Sequence, residues 1–144
     1  MDVLYDDDHI IVVDKPHGLP SQPPAQGPKD SVLTRLVELY GSEVRLVHRL
    51  DRHASGLMVV ARTQHAAAVL SADLKAHRIQ REYEAFIGAP LPEGLSGTID
   101  LALRWSGGRC WVDKSGAPAV THFEVLGRVG DHTKLRVRLE TGRM

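Results

Sequence analysis

A carboxylate between two arginines lies near the middle of the chain, within residues 48–57, whose sequence is HRLDRHASGL. Asp51 follows Arg49 and directly precedes Arg52, and an apolar run comes after the loop. Nearby positive charge lowers the pKa of a carboxyl group, and only the ionised form is a nucleophile. The serine–glycine pair lets the backbone approach a ligand closely. The pattern predicts a nucleophilic aspartate, and the competing interpretation is a solvated charge in a surface loop.

Short apolar runs are expected to position this loop. Residues 10–13 (IIVV) and 57–61 (LMVVA) are rich in branched side chains, which predicts two buried strands. Residues 45–47 predict a short strand that leads into the loop. Residues 18–29 are rich in Gly, Pro, Gln and Ser, which predicts a second loop. The candidate nucleophile is therefore expected between two strands.

Two helices are predicted in the first half of the chain. Asp30 or Ser31 is a suitable N-cap for the first helix, and Gly41 stands where a C-terminal glycine belongs. Its apolar positions at helical spacing are Leu33, Leu36, Val37 and Tyr40. Residues 64–78 have alanine-rich helix propensity and predict the second helix. The apolar stripe of this helix is Ala67, Leu70 and Leu74.

The second half of the chain predicts mainly strands. Residues 133–140 show the period of two most clearly, because apolar and basic side chains alternate there. Strands outnumber helices by about three to one, and successive strands favour antiparallel pairing. We therefore predict an α+β fold, with a mixed, mainly antiparallel central sheet flanked by helices and loops, in one domain over residues 1–144. The other predicted strands are residues 81–88, 97–103, 109–113 and 119–127.

The composition narrows the function classes. The formal net charge of +0 means that a nucleic-acid site would have to be a local basic patch. The single cysteine, Cys110, excludes an internal disulfide framework, and the histidines do not complete a zinc ligand set. The acidic N-terminal residues do not resemble the basic start of a signal peptide. Because the apolar runs are also too short to span a bilayer, we expect a cytoplasmic protein without membrane contact.

Five segments resemble, in their order, motifs of the RluA-type RNA pseudouridine synthases. The HRLD…SGL pattern around Asp51 is the second of them. They cover the chain from residue 7 to its end, so the sequence is identified as a member of this family. The five segments are residues 7–19, 48–57, 81–83, 118–123 and 139–143.

The resemblance implies an isomerase that acts on RNA without a metal or another cofactor. Such an enzyme cuts the N1–C1′ bond of a uridine, turns the uracil, and joins its C5 to C1′. Asp51 is implied as the catalytic carboxylate, which either attacks C1′ or assists removal of the C2′ proton. Tyr83 is implied to stack against the uracil and to help move a proton. From the residues alone, Tyr83 would instead pack in the core with Ala85 and Ile87.

The target uridine must leave its stack in folded RNA before it can reach a carboxylate. Arg49 is implied as the side chain that occupies the vacated position, because a guanidinium stacks on bases and contacts phosphates. The alternative role for Arg49 is an ion pair with Asp51. His48 is implied to orient Arg49 or the backbone, and the alternative is a hydrogen-bonded structural histidine. Further candidates for phosphate contacts, each also interpretable as a solvated charge, are Arg52, Arg78 and Arg81.

The sequence ends inside the fifth motif, before the arginine that pairs with the catalytic aspartate in the family. Arg143 is the earlier arginine of that motif and does not take its place. We therefore expect a C-terminally truncated catalytic domain without an N-terminal S4 domain. The expected partner is a stem-loop of ribosomal or transfer RNA.

Two other functions remain open from the sequence. The first is a truncated, noncatalytic RNA-binding fragment of such an enzyme. The second is a glycoside-processing enzyme, because an aspartate nucleophile at C1′ also suits retaining sugar hydrolysis. That chemistry needs a second carboxylate, for which Glu82 and Glu84 are the nearby candidates. Both fit a solvated strand face better.

Overall fold

The computed structural model describes residues 1–141, so Arg143 of the fifth motif lies outside the described residues. The contacts cluster into two compact units, Met1–Arg78 and Ile79–Met144. The single domain expected over residues 1–144 stays a prediction, since two compact units occur within one domain as well as in two. No helix within residues 1–141 is long and apolar enough to cross a membrane.

The first unit contains one antiparallel sheet and two helices among its described elements. Strand order in the sheet is β1-β2-β4-β3, so the candidate strands from residues 10–13 and 57–61 are neighbours at its centre. The register pairs Val13 with Met58 and Lys15 with Gly56. The elements are β1 (Asp2–Asp6), β2 (Ile10–Lys15), α1 (Val32–Tyr40), β3 (Arg45–Leu46), β4 (Gly56–Ala61) and α2 (Gln64–Lys75).

The core of this unit follows from the alternation of side chains along its strands. In β2, successive side chains point to opposite faces, so Ile11, Val13 and Lys15 share one face, and all three are fully buried. Fully burying one aliphatic side chain contributes about 1.5–3 kcal/mol. The other fully buried apolar residues of the unit include Val32, Leu36, Met58, Val60 and Ala61.

Both helices begin at hydroxyl caps. The Ser31 hydroxyl accepts from the Thr34 N–H at 3.0 Å, which confirms Ser31 as the N-cap of α1, and Thr63 caps α2 in the same way. Helix α1 ends at Tyr40, and Gly41 is its C-cap, as predicted. Helix α2 ends at Lys75, three residues before the predicted end at Arg78.

The early end of α2 has a local cause. His77 has a φ of 56°, the left-handed conformation that closes a helix. Its N–H donates to the Leu74 carbonyl at 3.2 Å, and the next N–H, from Arg78, donates to the Asp73 carbonyl at 2.9 Å. These two hydrogen bonds satisfy carbonyls of the last turn. Because glycine usually occupies the left-handed position, a histidine there did not indicate the helix end.

The second unit is built from strands in its described part. Its four-stranded antiparallel sheet has the order β5-β10-β9-β6, and β7 pairs with β8 in a separate hairpin. The α+β class predicted from the sequence is confirmed. The strands are β5 (Glu82–Ile87), β6 (Ser96–Asp100), β7 (Leu103–Ser106), β8 (Arg109–Val112), β9 (Val120–Val129) and β10 (His132–Leu139).

Two strand predictions in this unit had different outcomes. The alternation predicted for β10 is confirmed, since Leu135 is buried while Arg136 and Arg138 are exposed. The single strand predicted over residues 97–103 was wrong, because β6 stops at Asp100 and β7 begins at Leu103. The pairing partner changes there from β9 to β8, and an apolar run does not reveal such a change.

Candidate active site

Asp51 lies in the segment of residues 47–55 between β3 and β4, which we call the aspartate loop. The residue is exposed, and its carbonyl accepts a hydrogen bond from the Ala54 N–H at 3.1 Å, which closes a turn. The carboxylate therefore stands on a turned segment that solvent can reach. A nucleophile that acts on a large substrate needs this accessibility.

The residue before Asp51 is fixed by a buried serine. The Ser21 hydroxyl accepts from the Leu50 N–H at 3.0 Å and donates to the Leu50 carbonyl at 2.6 Å. Ser21 is 4% exposed, and its own carbonyl accepts from the Leu33 N–H in the first turn of α1 at 3.0 Å. A helix start thus holds Ser21, and Ser21 holds the backbone next to Asp51.

The residue after Asp51 is fixed by a glycine turn. The Gly18 N–H donates to the Arg52 carbonyl at 2.8 Å, and the Arg52 Nε donates to the Gly18 carbonyl at 3.0 Å. Gly18 has a φ of 88°, a conformation that side chains disfavour, so glycine suits this turn. The aspartate loop is therefore anchored on both sides of Asp51 by the segment that follows β2.

Lys15 is a residue of this site that the sequence reasoning missed. It is 0% exposed, and its Nζ donates to the carbonyls of Leu19 at 2.8 Å, Pro16 at 3.2 Å and Arg52 at 3.4 Å. Burial lowers the pKa of Lys15, and attraction to the Asp51 carboxylate opposes that shift. The signal was present in the sequence, because period-two alternation places Lys15 on the face of Ile11 and Val13.

The two residues before Leu50 have different environments. The half-buried His48 accepts a hydrogen bond at Nε2 from the Val59 N–H at 3.1 Å, which ties the aspartate loop to β4. This contact favours the structural interpretation of His48. Arg49 is an exposed residue of the aspartate loop, two positions before Asp51. This exposure is consistent with the RNA contact that the family resemblance implies for Arg49.

Two histidines also meet beside the aspartate loop. The rings of His17 and His53 have centroids 5.3 Å apart at an interplanar angle of 46°, and both residues are exposed. His17 belongs to the turn that ends at Gly18, and His53 belongs to the aspartate loop. Residues so far apart in the sequence carry no signal that they are neighbours.

The remaining predicted site residues lie at the end of the first unit and in the second. Arg78 follows α2, and its Nε donates to the Asp73 carboxylate at 2.8 Å, so this exposed guanidinium is already engaged by an anion. Arg81 and Tyr83 belong to the second unit. Tyr83 is half-buried opposite Val137, on the face of β5 that it shares with Ala85, and this position also suits the core-packing interpretation.

The carboxylates considered for glycoside chemistry lie on the other face of β5. Glu82 is 3.3 Å from the Arg136 Nε, and Glu84 is 2.8 Å from the Lys134 Nζ. Both glutamates are exposed. Their positions fit the solvated strand face expected from the sequence.

The sequence places this chain among known proteins. Residues 9–144 match the family described as RNA pseudouridylate synthase. The chain belongs to the RNA pseudouridine synthase family. The RluA-type resemblance is thereby confirmed, because relatives are similar over nearly the whole chain.

Two bacterial members of the family show the extent of the similarity. The ribosomal large subunit pseudouridine synthase D of Haemophilus influenzae is 40% identical over 151 residues, which cover 99% of this chain and 46% of that protein. The protein of the same description from Pseudomonas aeruginosa is 39% identical, with 99% and 47% covered. The chain therefore spans about half the length of these relatives.

Solved structures agree with the fold of this family member. Human RNA pseudouridylate synthase domain containing 1 matches with a TM-score of 0.76 at 22% identity, covering 98% of this chain and 60% of the human chain. Human RNA pseudouridylate synthase domain containing 4 matches with a TM-score of 0.70 at 21% identity, covering 98% and 59%. At these identities the likeness shows the fold.

Proposed function

We propose that this chain is an RNA pseudouridine synthase in which Asp51 is the catalytic carboxylate. The observation that carries the proposal is the exposure of Asp51 on a loop whose backbone is fixed on both sides, by Ser21 and by Gly18. Catalysis gains when a reacting group is held close to its productive geometry, because less entropy is lost at the reaction step. Family membership supplies the reaction class.

The proposed reaction is an isomerisation with no net oxidation or reduction. The N1–C1′ bond breaks, the uracil turns, the C5–C1′ bond forms, and the proton at C5 leaves to solvent as N1 gains one. The Asp51 carboxylate either attacks C1′ or assists removal of the C2′ proton. Both routes need an ionised carboxylate that the sugar can reach. The Lys15 ammonium, which is attracted to the Asp51 carboxylate, supplies positive charge near that carboxylate.

The other site residues are assigned to RNA contact and to positioning. Arg49 takes the place that the flipped uridine leaves, and Arg52 meets the RNA backbone while its Nε holds Gly18. His48 positions the aspartate loop through Val59. Tyr83 stacks on the uracil. The exposed Arg78 and the half-buried Arg81 are assigned to phosphate contacts, with Arg78 also held by Asp73.

The proposed substrate is a uridine in a stem-loop of ribosomal or transfer RNA. The bacterial relatives are named for the large ribosomal subunit, which favours ribosomal RNA over transfer RNA. An unmodified transcript of large-subunit ribosomal RNA is therefore the first substrate to test, with a transfer RNA transcript as the second.

Tritium release from 5-³H-uridine in such transcripts tests the proposal, because formation of the C5–C1′ bond expels the hydrogen at C5. We expect release by the wild-type chain and its loss by at least about 1000-fold in Asp51→Asn, since the amide is not a nucleophile. Asp8→Asn is the matched control, because Asp8 is also an exposed aspartate in a turn. Equal release by Asp51→Asn and Asp8→Asn would refute the assignment of Asp51.

The same assay separates the catalytic proposal from the noncatalytic one. Retention of labelled transcript on a filter measures binding independently of release. Binding by the wild-type chain with no release from either transcript would favour a noncatalytic RNA-binding protein. Absence of both binding and release would contradict both functions.

A further inference from the structure

The hairpin formed by β7 and β8 carries both tryptophans of the chain on opposite faces. Its register pairs Arg104 with Trp111 and Trp105 with Cys110. Because side chains alternate along a strand, each face takes every second residue. One face, which we call the basic–aromatic face, consists of Arg104, Ser106, Arg109 and Trp111. The other, which we call the apolar face, consists of Leu103, Trp105, Cys110 and Val112.

The hairpin has a defined geometry. Gly107 and Gly108 form its two-residue turn with φ values of 57° and 76°. Two successive positive φ angles belong to the turn type that matches the twist of paired strands, and glycine is suited to both positions. The Leu103 N–H and carbonyl both exchange hydrogen bonds with Ala117, at 2.8 Å each, which joins the base of the hairpin to the segment before β9.

The basic–aromatic face is braced at its base by Asp113. The Arg104 Nε lies 3.0 Å from the Asp113 carboxylate, and the Arg104 Nη2 donates to the Ser115 hydroxyl at 2.6 Å. Hydrogen bonds from Ser115 hold the pKa of Asp113 below its usual range, with smaller contributions from Arg104 and from the Trp111 indole. Trp111, which the register places opposite Arg104, remains 42% exposed.

The hairpin and the turn that follows it have a positive local charge balance. Residues 103–115 contain three basic side chains, Arg104, Arg109 and Lys114, and one acidic side chain, Asp113. The whole chain has a formal net charge of +0. Arg109 and Lys114 are exposed. An exposed indole beside exposed basic groups is the combination that binds single-stranded RNA, since every base can stack on an aromatic ring and every nucleotide carries a phosphate.

We propose that the basic–aromatic face of the β7–β8 hairpin binds an unpaired nucleotide of the substrate RNA, with its base stacked on Trp111 and its phosphate contacted by Arg109. The inference rests on the proposed RNA function and adds a contact surface to it. RNA is favoured over a protein partner on this face because its charge is positive and its aromatic ring is flanked by arginines. The apolar face, with Trp105 59% exposed, lacks this charge.

Equilibrium binding of the labelled ribosomal RNA transcript to filter-retained protein tests the proposal. We expect Trp111→Ala to raise Kd about 10-fold, within the range measured for loss of one base-stacking contact, and Trp111→Phe to restore most of the affinity. Arg109→Ala should raise Kd about 3-fold and reduce the salt dependence of binding. Trp105→Ala, on the apolar face of the same hairpin, and Arg128→Ala, at another exposed arginine, should leave Kd unchanged within 2-fold.

The outcomes separate this contact from the proposed function. Repeating the series in the Asp51→Asn background removes turnover and leaves the binding comparison intact. Wild-type binding that Trp111→Ala does not weaken would overturn the hairpin contact and leave the synthase proposal standing. Equal weakening by Trp105→Ala and Trp111→Ala would also overturn it, because it would assign a structural or protein-docking role to the hairpin. Failure of the wild-type chain to bind either transcript would overturn both proposals.

Discussion

The backbone on both sides of Asp51 is held by hydrogen bonds from residues distant in the sequence, and single residues can therefore be tested for a positioning role. The single hydroxyl of Ser21 donates to the Leu50 carbonyl and accepts from the Leu50 N–H. The Gly18 N–H donates to the Arg52 carbonyl, and the Gly18 carbonyl accepts from the Arg52 Nε. Neither residue carries a group suited to the proposed reaction. Their contribution to catalysis should therefore appear in turnover and not in RNA affinity.

Removal of the Ser21 hydroxyl should loosen the aspartate loop. We expect Ser21→Ala to lower the free energy of unfolding by about 1–3 kcal/mol, because the backbone groups of Leu50 are left buried without this partner. We also expect slower tritium release with an unchanged Kd for RNA. Urea unfolding followed by circular dichroism measures the first effect. Ser42→Ala, at an exposed serine, is the control, and an equal effect in both variants would contradict the positioning role.

The buried amine of Lys15 predicts a pH dependence of stability. Burial lowers its pKa from the ordinary value of 10.5, so the unfolded chain binds more protons at this residue than the folded chain between the lowered pKa and 10.5. Stability contributed at Lys15 therefore rises with pH across that window. Lys15→Met removes the titrating group and nearly keeps its length. We expect the free energy of unfolding to increase less with pH in the variant than in the wild type.

Urea unfolding at a series of pH values up to about 10.5 measures the difference. Lys29→Met is the matched control, since Lys29 is an exposed lysine of the same unit. Identical pH profiles for Lys15→Met and wild type would contradict a buried, titrating amine at this position.

Among the elements, the end of α2 allows a prediction of how single substitutions change the stability of the chain. His77 adopts a left-handed conformation that costs a residue with a side chain roughly 1–2 kcal/mol. We expect His77→Gly to stabilise the chain by about 0.5–1 kcal/mol, since part of that cost is offset by the freedom of glycine in the unfolded chain. Ala76→Gly is the control at the preceding residue, where φ is −85°, and it should destabilise. Thermal unfolding measures the stability of both variants. If neither variant or both variants were stabilised, the result would contradict a left-handed conformation at His77.

The elements also show where hydropathy predicts structure and where it does not. Helix α1 was predicted from Ser31, its apolar spacing and Gly41, because serine is favoured at the N-cap and glycine directly after the last helical residue. The strands β2 and β4 followed from apolar runs. The end of α2 did not follow, since His77 takes a position that glycine would have marked. The break between β6 and β7 did not follow because strand partners are set by tertiary pairing.

The same distinction applies to the candidate site. Asp51 became the candidate nucleophile through its neighbours in the sequence and the family resemblance, and its role stays a prediction. The contacts that fix it, from Ser21 to Leu50 and from Gly18 to Arg52, join segments that only the fold brings together. Lys15 was only partly predictable from the sequence. Its burial was implied by alternation with Val13, but a lysine at a strand end is ordinarily exposed.

For the whole molecule, a formal net charge of +0 conceals an uneven distribution along the chain. The β1–β2 hairpin carries a cluster of carboxylates, which includes Asp2, Asp6, Asp7 and Asp8. The β7–β8 hairpin has the opposite balance. An RNA backbone should therefore be repelled by the first hairpin and attracted by the second, and a small net charge does not argue against RNA binding.

The placement of the tryptophans has a spectroscopic consequence. Trp105 and Trp111 are the only tryptophans of the chain, and both lie on one hairpin. Indole dominates the intrinsic ultraviolet emission of proteins, so the emission of this chain reports the surroundings of β7 and β8. The unit Met1–Arg78 has only Tyr5 and Tyr40 as weak emitters. An emission-monitored melt therefore leaves the aspartate loop unobserved, and a tryptophan introduced at Tyr40 would give that unit an optical signal of its own.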